Sequence, residues 1–384
     1  MAAPGSAPIS ILLESTKGSS TVATDALLGA MLRAHDQVSD LIFSPGRLPQ
    51  VEIHGQLTAV QGPGLPALSA DDTRRIASDL IGNNKQAIAR LREQGSCDVS
   101  FGLPGVARFR VNVFIQRGSC AVVMRVIPTA IPDLNTLGLP AHLAEISALR
   151  DGIVLVTGLR GSGKSSTLAA LLDLINREAV RHIITIEDPI EFLHNHKRAT
   201  VHQRELHSDT PSMSLALQAA LRQAPDVIFV SELRDRETIE TALEAAETGH
   251  VVLSSLNTPD AAKTVERIVN GFPAAEQAGI RSRFAKTARY IISQKLIPRQ
   301  DGRGRVPVAE ILKVAPGTLE FTAENGFSGR SILEILKAGA SQGMQHFDGE
   351  IEKVVRTGVV DRATAMTYAS DAEQLSRSLG DVRL

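Results

Sequence analysis

The sequence predicts an α/β protein, a largely parallel sheet covered by helices, preceded by a smaller α+β domain. Three observations lead there. From Ile153 onward, short runs dense in Val and Ile alternate with helical stretches. One such run leads straight into a glycine-rich turn, Gly158-Leu-Arg-Gly161-Ser-Gly163-Lys164-Ser165, with a helical stretch behind it. The chain before residue 129 instead reads as a helix followed by meandering strands, then helical character and two more strands. Uninterrupted apolar runs are what strands buried on both faces require, and strand-helix alternation gives parallel neighbours.

Taken in order, residues 1–22 are rich in Ala, Ser, Gly, Pro and Thr without a sustained period and read as a mobile tail. Leu27, Leu28, Met31 and Leu32 then follow helical spacing, and Asp40–Phe43 and Gln50–Ile53 read as strands about a turn at Ser44-Pro-Gly46. Asp71–Arg92 returns to helical character, and Gly105–Val113 and Ala121–Ile127 are strands with alternating arginines. This small domain spans 23–128. Pro132, Gly138 and Pro140 punctuate 129–150, which reads as an interdomain connection able to act as a hinge. The second domain, 151–384, has strands at Ile153–Thr157, His182–Ile186, Val227–Val230 and Val251–Leu256. From Gly271 to about Asp371 it reads as mostly helical, with a polar break at Arg299–Arg305.

Composition excludes several classes. The 384 residues, 43% hydrophobic, suffice for two or three domains with their own cores. With 41 basic and 42 acidic residues the formal charge is −1, so there is no bulk attraction to phosphate backbones or anionic lipid. Aromatics are 3% with no Trp, which leaves little for base stacking, and nucleic acid is not an expected partner. Cys97 and Cys120 belong to no metal-ligand spacing and imply a reducing compartment. Ile9–Leu13 is too short for a signal peptide or a membrane span, so a cytoplasmic protein is expected, one that reaches a membrane only through a partner. His194, His196, His202 and His207 lack a partner spacing for zinc and read as surface or edge histidines.

The chemistry is carried by the glycine-rich turn, which fits GxxxxGK[ST] at every fixed position. Glycines let successive N–H groups curl inward onto phosphate oxygens, where side chains would obstruct them. Gly158, Gly161, Ser162, Gly163, Lys164, Ser165 and Ser166 are thus the expected binding set for ATP, with Lys164 on the β- and γ-phosphates and the Ser165 hydroxyl on Mg²⁺. In the following helix Leu168, Leu171, Leu172 and Ile175 share one face, which aims the helix N-terminus at the phosphates. A second strand runs into Glu187-Asp188-Pro189-Ile190-Glu191. Glu187, at the edge where open α/β sheets bind ligands, is the expected general base for an attacking water. A third strand, Asp226-Val-Ile-Phe-Val-Ser231-Glu232, resembles a Walker B element with Glu for Asp, and Glu232 is expected to hold the Mg²⁺ water shell. Asp226 is at its opposite end, about 13 Å away along a straight strand, and reads as structural. Asn257, at the far end of Val251–Leu256, reads as a phosphate sensor or as a simple turn residue.

Together Gly158–Ser165, Thr185-Ile-Glu-Asp-Pro-Ile-Glu191, Ser231-Glu-Leu-Arg-Asp235 and Thr248-Gly-His250 make this chain resemble the secretion ATPase superfamily, closest to the type IV pilus retraction ATPases (PilT and PilU). Pro104–Asn112 and Met344-Gln-His-Phe-Asp348 extend the likeness. The resemblance implies a PAS-like domain before a RecA-like P-loop motor domain, a homohexameric ring, an inner-membrane pilus or secretion platform as partner, and a possible paralogous ATPase. It also implies residue roles: catalysis by Glu187, Glu232 and His250, with arginines of the first domain, among them Arg108, Arg110 and Arg125, approaching the phosphates. Asn257 stands where a second His is usual, Ser231 where Gly is usual, and Ser166 where Thr is usual. The retraction run expected near Ala315–Glu320 is absent, so hydrolysis is implied more directly than retraction. A regulatory ring subunit that binds ATP but hydrolyses it feebly, and a RecA-like DNA translocase, are the alternatives.

Overall fold

The computed structural model describes residues 8–11, 23–53, 55–128, 130–314 and 329–380. The chain divides into two compact units, Met1–Thr129 with Glu191–Leu193, and Ala130–Ile190 with His194–Leu384.

The first unit is built on strands β1 (Ile9–Ser10), β2 (Val38–Phe43), β3 (Gln50–Ile53), β4 (Gln56–Gln61), β5 (Ser96–Leu103), β6 (Ala107–Gln116) and β7 (Ser119–Ile127), in the order β1-β4-β3-β2-β7-β6-β5. Helices α1 (Thr24–Arg33), α2 (Ala70–Ile81) and α3 (Lys85–Gln94) complete it, giving the α+β, PAS-like arrangement expected. Alternation along β6 buries Phe109, Val111 and Val113 against Leu28, Met31 and Ile76 and turns Arg110 outward. The single helical stretch expected over 71–92 is two helices. Gly82, at φ +54, ends the first, and the Asn84 side chain caps the second by accepting from the Ala87 amide at 3.0 Å. The tail expectation also changes at Ile9–Ser10, which pairs in parallel with Val60–Gln61. Residues 1–7 and 12–22 of that tail lie outside the described residues.

The second unit contains β8 (Gly152–Thr157), β9 (His182–Glu187), β10 (Thr200–Glu205), β11 (Val227–Val230), β12 (Val251–Leu256), β13 (Ala288–Pro298) and β14 (Arg305–Lys313), ordered β10-β9-β11-β12-β8-β13-β14. Strands β8 to β12 are parallel, as the apolar runs require, and β13 continues the parallel set while β14 returns antiparallel. Successive residues enter opposite cores. Ile153, Leu155, Ile184 and Ile228 pack under α6 (Arg236–Glu247), α7 (Ala261–Asn270) and α8 (Ala274–Thr287). Val154, Val156, Ile183 and Leu253 pack under α4 (Lys164–Glu178), whereas α5 (Met213–Ala220) joins the first set. Leu134, Leu139, Leu143 and Ile146, from the expected connection, are buried in this second core, the last two of them in the 3₁₀ turn Ala141–Ala148.

The stretch from Gly271 is less helical than expected. Residues 288–313 form a long β-hairpin whose turn, 299–304, falls in the expected polar break; β-branched residues such as Ile291, Ile292, Val308 and Ile311 bury the two strands. Helices Phe347–Arg356, Arg362–Tyr368 and Ala372–Leu379 then gather around Ile297 and Val308 in a small core of their own. Ala315–Glu320 lies outside the described residues. Among the described residues no helix is long and apolar enough to cross a membrane.

Candidate functional site

Parallel register brings the carboxyl ends of the strands to one edge: Thr157 is level with Leu256, and Val230 with Ile186 and Ser254. Cross-strand hydroxyls fix that edge, with Ser254 Oγ donating to the Val230 carbonyl and Ser255 Oγ to the Ser231 carbonyl, both at 2.6 Å. Everything that follows β8, β9, β11 and β12 in sequence is therefore presented together.

After β8 the chain turns through Gly158, Gly161 and Gly163 at φ 144, 78 and 92, angles that side chains resist. At Gly158 a Cβ would stand 2.5 Å from the Gln294 carbonyl oxygen of β13, so the turn needs glycine for space as well. Helix α4 starts at Lys164 with Gly163 as its N-cap and no side-chain acceptor for its first amides. Those amides and the helix dipole form an anion site. Ser162 Oγ is enclosed without a hydrogen-bond partner, and Lys164 Nζ donates to the carbonyls of Gly158 (2.8 Å) and Leu159 (3.1 Å). Bare amides, an enclosed hydroxyl and a nearby ammonium fit a polyphosphate. The β-hairpin backs this loop: Arg305 Nη1 donates to the Gly161 carbonyl at 3.3 Å, and Thr157 Oγ1 donates to Ser293 Oγ at 2.9 Å.

Glu187 ends β9 and is buried; its Oε1 accepts from Thr185 Oγ1 at 2.6 Å and from Gln203 Nε2 at 3.0 Å. Those two donors hold the carboxylate in one orientation. Gln203 lies on β10, which sequence reading missed, because the polar run Thr200–Glu205 pairs on one side only and carries no apolar signature. Glu232 follows β11 and is gripped twice, at Oε2 by Arg234 Nε (2.9 Å) and at Oε1 by Asn257 Nδ2 (2.6 Å). Arg234 also donates Nη1 to Asp188 Oδ2 at 3.0 Å, and the hydrogen bond to Glu232 raises its pKa further above the usual arginine value. Arg234 thus ties the second and third carboxylate segments together. It was visible in Ser231-Glu-Leu-Arg-Asp235 without an assigned task.

Glu310 of β14 adds a support from behind. It stands opposite Ser293, and its Oε1 accepts the Ala261 amide at 2.9 Å, at the start of the helix that follows Asn257. Burial pushes its carboxyl up to about 7.

Two sets of expected residues lie elsewhere. His250 precedes β12, whose Val251 is level with Gly152, so it is at the edge opposite the phosphate loop, a strand length of about 20 Å away. Its Nδ1 lies 2.9 Å from the Ala245 carbonyl oxygen, and the structure does not bring it to the carboxylates within one chain. Asp226 is at that same far edge, accepting the His182 amide at 2.7 Å, a structural part as expected. Arg110 and Arg125 belong to the first unit, directly opposite one another on β6 and β7; Arg125 Nε donates to buried Asp40 at 2.9 Å, and Arg110 is exposed. Of the four histidines, His194 is buried rather than at the surface, and burial pushes it down to about 4. Among the described residues no group of three His, Cys, Asp or Glu could hold a metal ion.

A parallel α/β domain with a phosphate loop leaving its strand toward a helix N-terminus, and carboxylates at the ends of the neighbouring strands, defines the RecA-like P-loop class. Within that class, the chain belongs to the type II/IV secretion system protein family, whose model matches residues 67–373. It is 42% identical over 328 residues to a twitching motility protein of Neisseria gonorrhoeae, covering 85% of this chain and 86% of that one. It is 41% identical over 340 residues to the type IV pilus retractation ATPase PilT of Pseudomonas aeruginosa, covering 88% and 96%. A crystal structure of the pilus retraction motor PilT with bound ADP superposes with a TM-score of 0.78 at 40% identity, covering 88% of this chain and 95% of the other.

Proposed function

We propose that this protein is a motor ATPase that hydrolyses ATP to drive type IV pilus retraction or related pilus and secretion dynamics. The carrying observation is the convergence, at one sheet edge, of the Gly158–Ser165 loop with Glu187 and Glu232, each held by named donors. Similarity to relatives named for pilus retraction and twitching motility supports the same reading. In this reading Gly158, Gly161, Ser162, Gly163, Lys164, Ser165 and Ser166 bind the phosphates. Glu187, kept in place by Thr185 and Gln203, accepts the proton of the attacking water. A Mg²⁺ ion suits the remaining donors, because it takes one or two protein oxygens beside phosphate and water, here the Ser165 hydroxyl and, through water, Glu232. When bound it would offset phosphate charge. For Arg110 and Arg125 the reading is the one the resemblance implies, approach to the phosphates in the assembled motor, and for His250 it is a part in catalysis. That motor would be a homohexamer in the cytoplasm, peripheral to the inner membrane through a platform protein, with a paralogous ATPase as a further partner.

Steady-state ATPase and nucleotide affinity, measured together, test the proposal. Lys164→Ala should lose nucleotide affinity. Glu187→Gln should keep it while turnover falls by about 10²-fold or more. Unchanged turnover in both variants would overturn the proposal. A second reading, a ring subunit that binds ATP but turns it over feebly, is favoured by Asn257 and Arg234 occupying both Glu232 oxygens. Tight binding with negligible turnover of the natural chain would select it.

A further inference from the structure

The edge of the second unit's sheet opposite the phosphate loop holds a pocket that the proposed reaction does not use. It is an open surface pocket of about 380 Å³ where β9, β10 and β11 begin, lined by Arg181, His182, Arg198, Thr200, His202 and Asp226. Arg181 is its unusual member. The residue is only 8% exposed, yet its Nη1 is enclosed with no hydrogen-bond partner. Burying a guanidinium is costly unless an anion or a full set of acceptors replaces its water. Arg150 adds a second positive charge close enough to oppose it, while Arg198 is exposed on the pocket wall.

The one carboxylate lining the pocket, Asp226, offsets part of that charge through space but makes no hydrogen bond to Arg181. Asp226 already accepts the His182 amide at 2.7 Å through Oδ2, and its backbone carbonyl accepts from Val251. The two histidines brace one another: His182 Nδ1 lies 3.1 Å from the Ala224 carbonyl oxygen, which makes it the donor there, so its Nε2 accepts from His202 Nδ1 at 2.9 Å. Two arginines line the pocket against one carboxylate, with Arg150 nearby, so positive charge is in excess there and Arg181 keeps a donor unused.

We infer that this pocket is a second anion site, taking a tetrahedral oxyanion between Arg181 and Arg198, with Thr200 as a further donor. Guanidinium donors suit phosphate geometry, since parallel N–H groups bind two oxygens at once. The cavity exceeds a bare phosphate, so free phosphate and the phosphoryl end of a larger molecule both fit the same chemistry. This site is separate from the loop at Gly158–Ser165, at the other end of the strands, and does not depend on ATP hydrolysis.

The test titrates inorganic phosphate, and in a parallel arm AMP, into the full chain and its Arg181→Met variant, both in excess ADP. Any anion held at the glycine-rich loop is then common to the two proteins. Calorimetry should show millimolar or tighter phosphate binding to the natural chain and at least tenfold weaker binding to Arg181→Met, and phosphate should raise the Tm of the natural chain only. If AMP gives the tenfold difference and phosphate alone does not, the site takes a phosphoryl group of a larger molecule. The exposed Arg198→Gln should fold irrespective of how Arg181→Met behaves, and should weaken binding about threefold or more. Equal affinities for phosphate and AMP in the natural chain and both variants, or no binding to the natural chain, would overturn the inference.

Discussion

Replacing Glu310 by Gln should stabilise the second unit, and by an amount that depends on pH in a defined direction. Glu310 is 7% exposed, and burial pushes its carboxyl from the ordinary 4.5 up to about 7. Between those values the folded chain keeps a proton that the unfolded chain has released, so folding is favoured at the acidic end and loses that advantage as pH rises. Above pH 7 the loss is complete. At about 1.4 kcal/mol per pH unit it amounts to about 3 kcal/mol. Gln keeps an oxygen for the Ala261 amide, which Glu310 accepts at 2.9 Å, and carries no charge to bury. Urea unfolding at pH 5, 6, 7 and 8 should therefore show Glu310→Gln about 2–3 kcal/mol more stable than the natural chain at pH 8, converging toward pH 5. Hydrogen exchange over residues 288–313 identifies the transition that belongs to this unit. The difference between the two proteins is the quantity to read, because His194 acts oppositely. Its ring, pushed from 6.5 down to about 4, stays neutral when folded, so its contribution is lost as pH falls through that range. A difference that is flat with pH, or that grows toward acid, would refute the reasoning.

Three further outcomes follow from the same structure. His194→Gln should remove most of the acid sensitivity between about pH 6.5 and 4, where the buried neutral ring costs the fold up to about 3 kcal/mol; urea midpoints that track the natural chain across that range would contradict it. Gly158→Ala places a Cβ 2.5 Å from the Gln294 carbonyl oxygen at a φ of 144. It should weaken ATP affinity at least about tenfold by displacing the loop, with an unshifted titration curve counting against the assignment. Asn257→Asp sets a carboxylate where Nδ2 now donates to Glu232 at 2.6 Å. Turnover should fall about tenfold through repulsion between the two carboxylates and the loss of that donor, and turnover equal to that of the natural chain would dismiss a role for that contact.

Much of this site was legible residue by residue. Gly158–Ser165 is a local pattern, since the turn and the helix start need those residues wherever the domain packs, and apolar strands ending in Glu187 and Glu232 announce themselves the same way. Gln203, Arg234 and Glu310 were not legible as supports. Each acts on a partner brought near only by the sheet: Gln203 on Glu187 across β9 and β10, Arg234 on Asp188 from another strand end, Glu310 on Ala261 from β14. The position of His250 was not legible either. Its box is local, but its distance from the loop depends on which end of β12 it occupies, and the register with β8 puts it at the far one. The hairpin at 288–313 was hidden because Ile-rich runs suit a buried helix as well as a strand, and only pairing with β8 decides between them.

The sequence by itself determined four of the parallel strands with helical stretches between them, the phosphate loop, the carboxylates at two strand ends and the departure at Asn257, because these follow from periodicity, steric freedom at glycine and residue chemistry over a few positions. Tertiary structure decided what holds those carboxylates, that Asn257 is bound to Glu232, that residues 134–146 pack into the second core, and that Arg181 is buried with a donor unused. Such facts depend on register and on burial from several segments at once, and no short stretch of chain contains them.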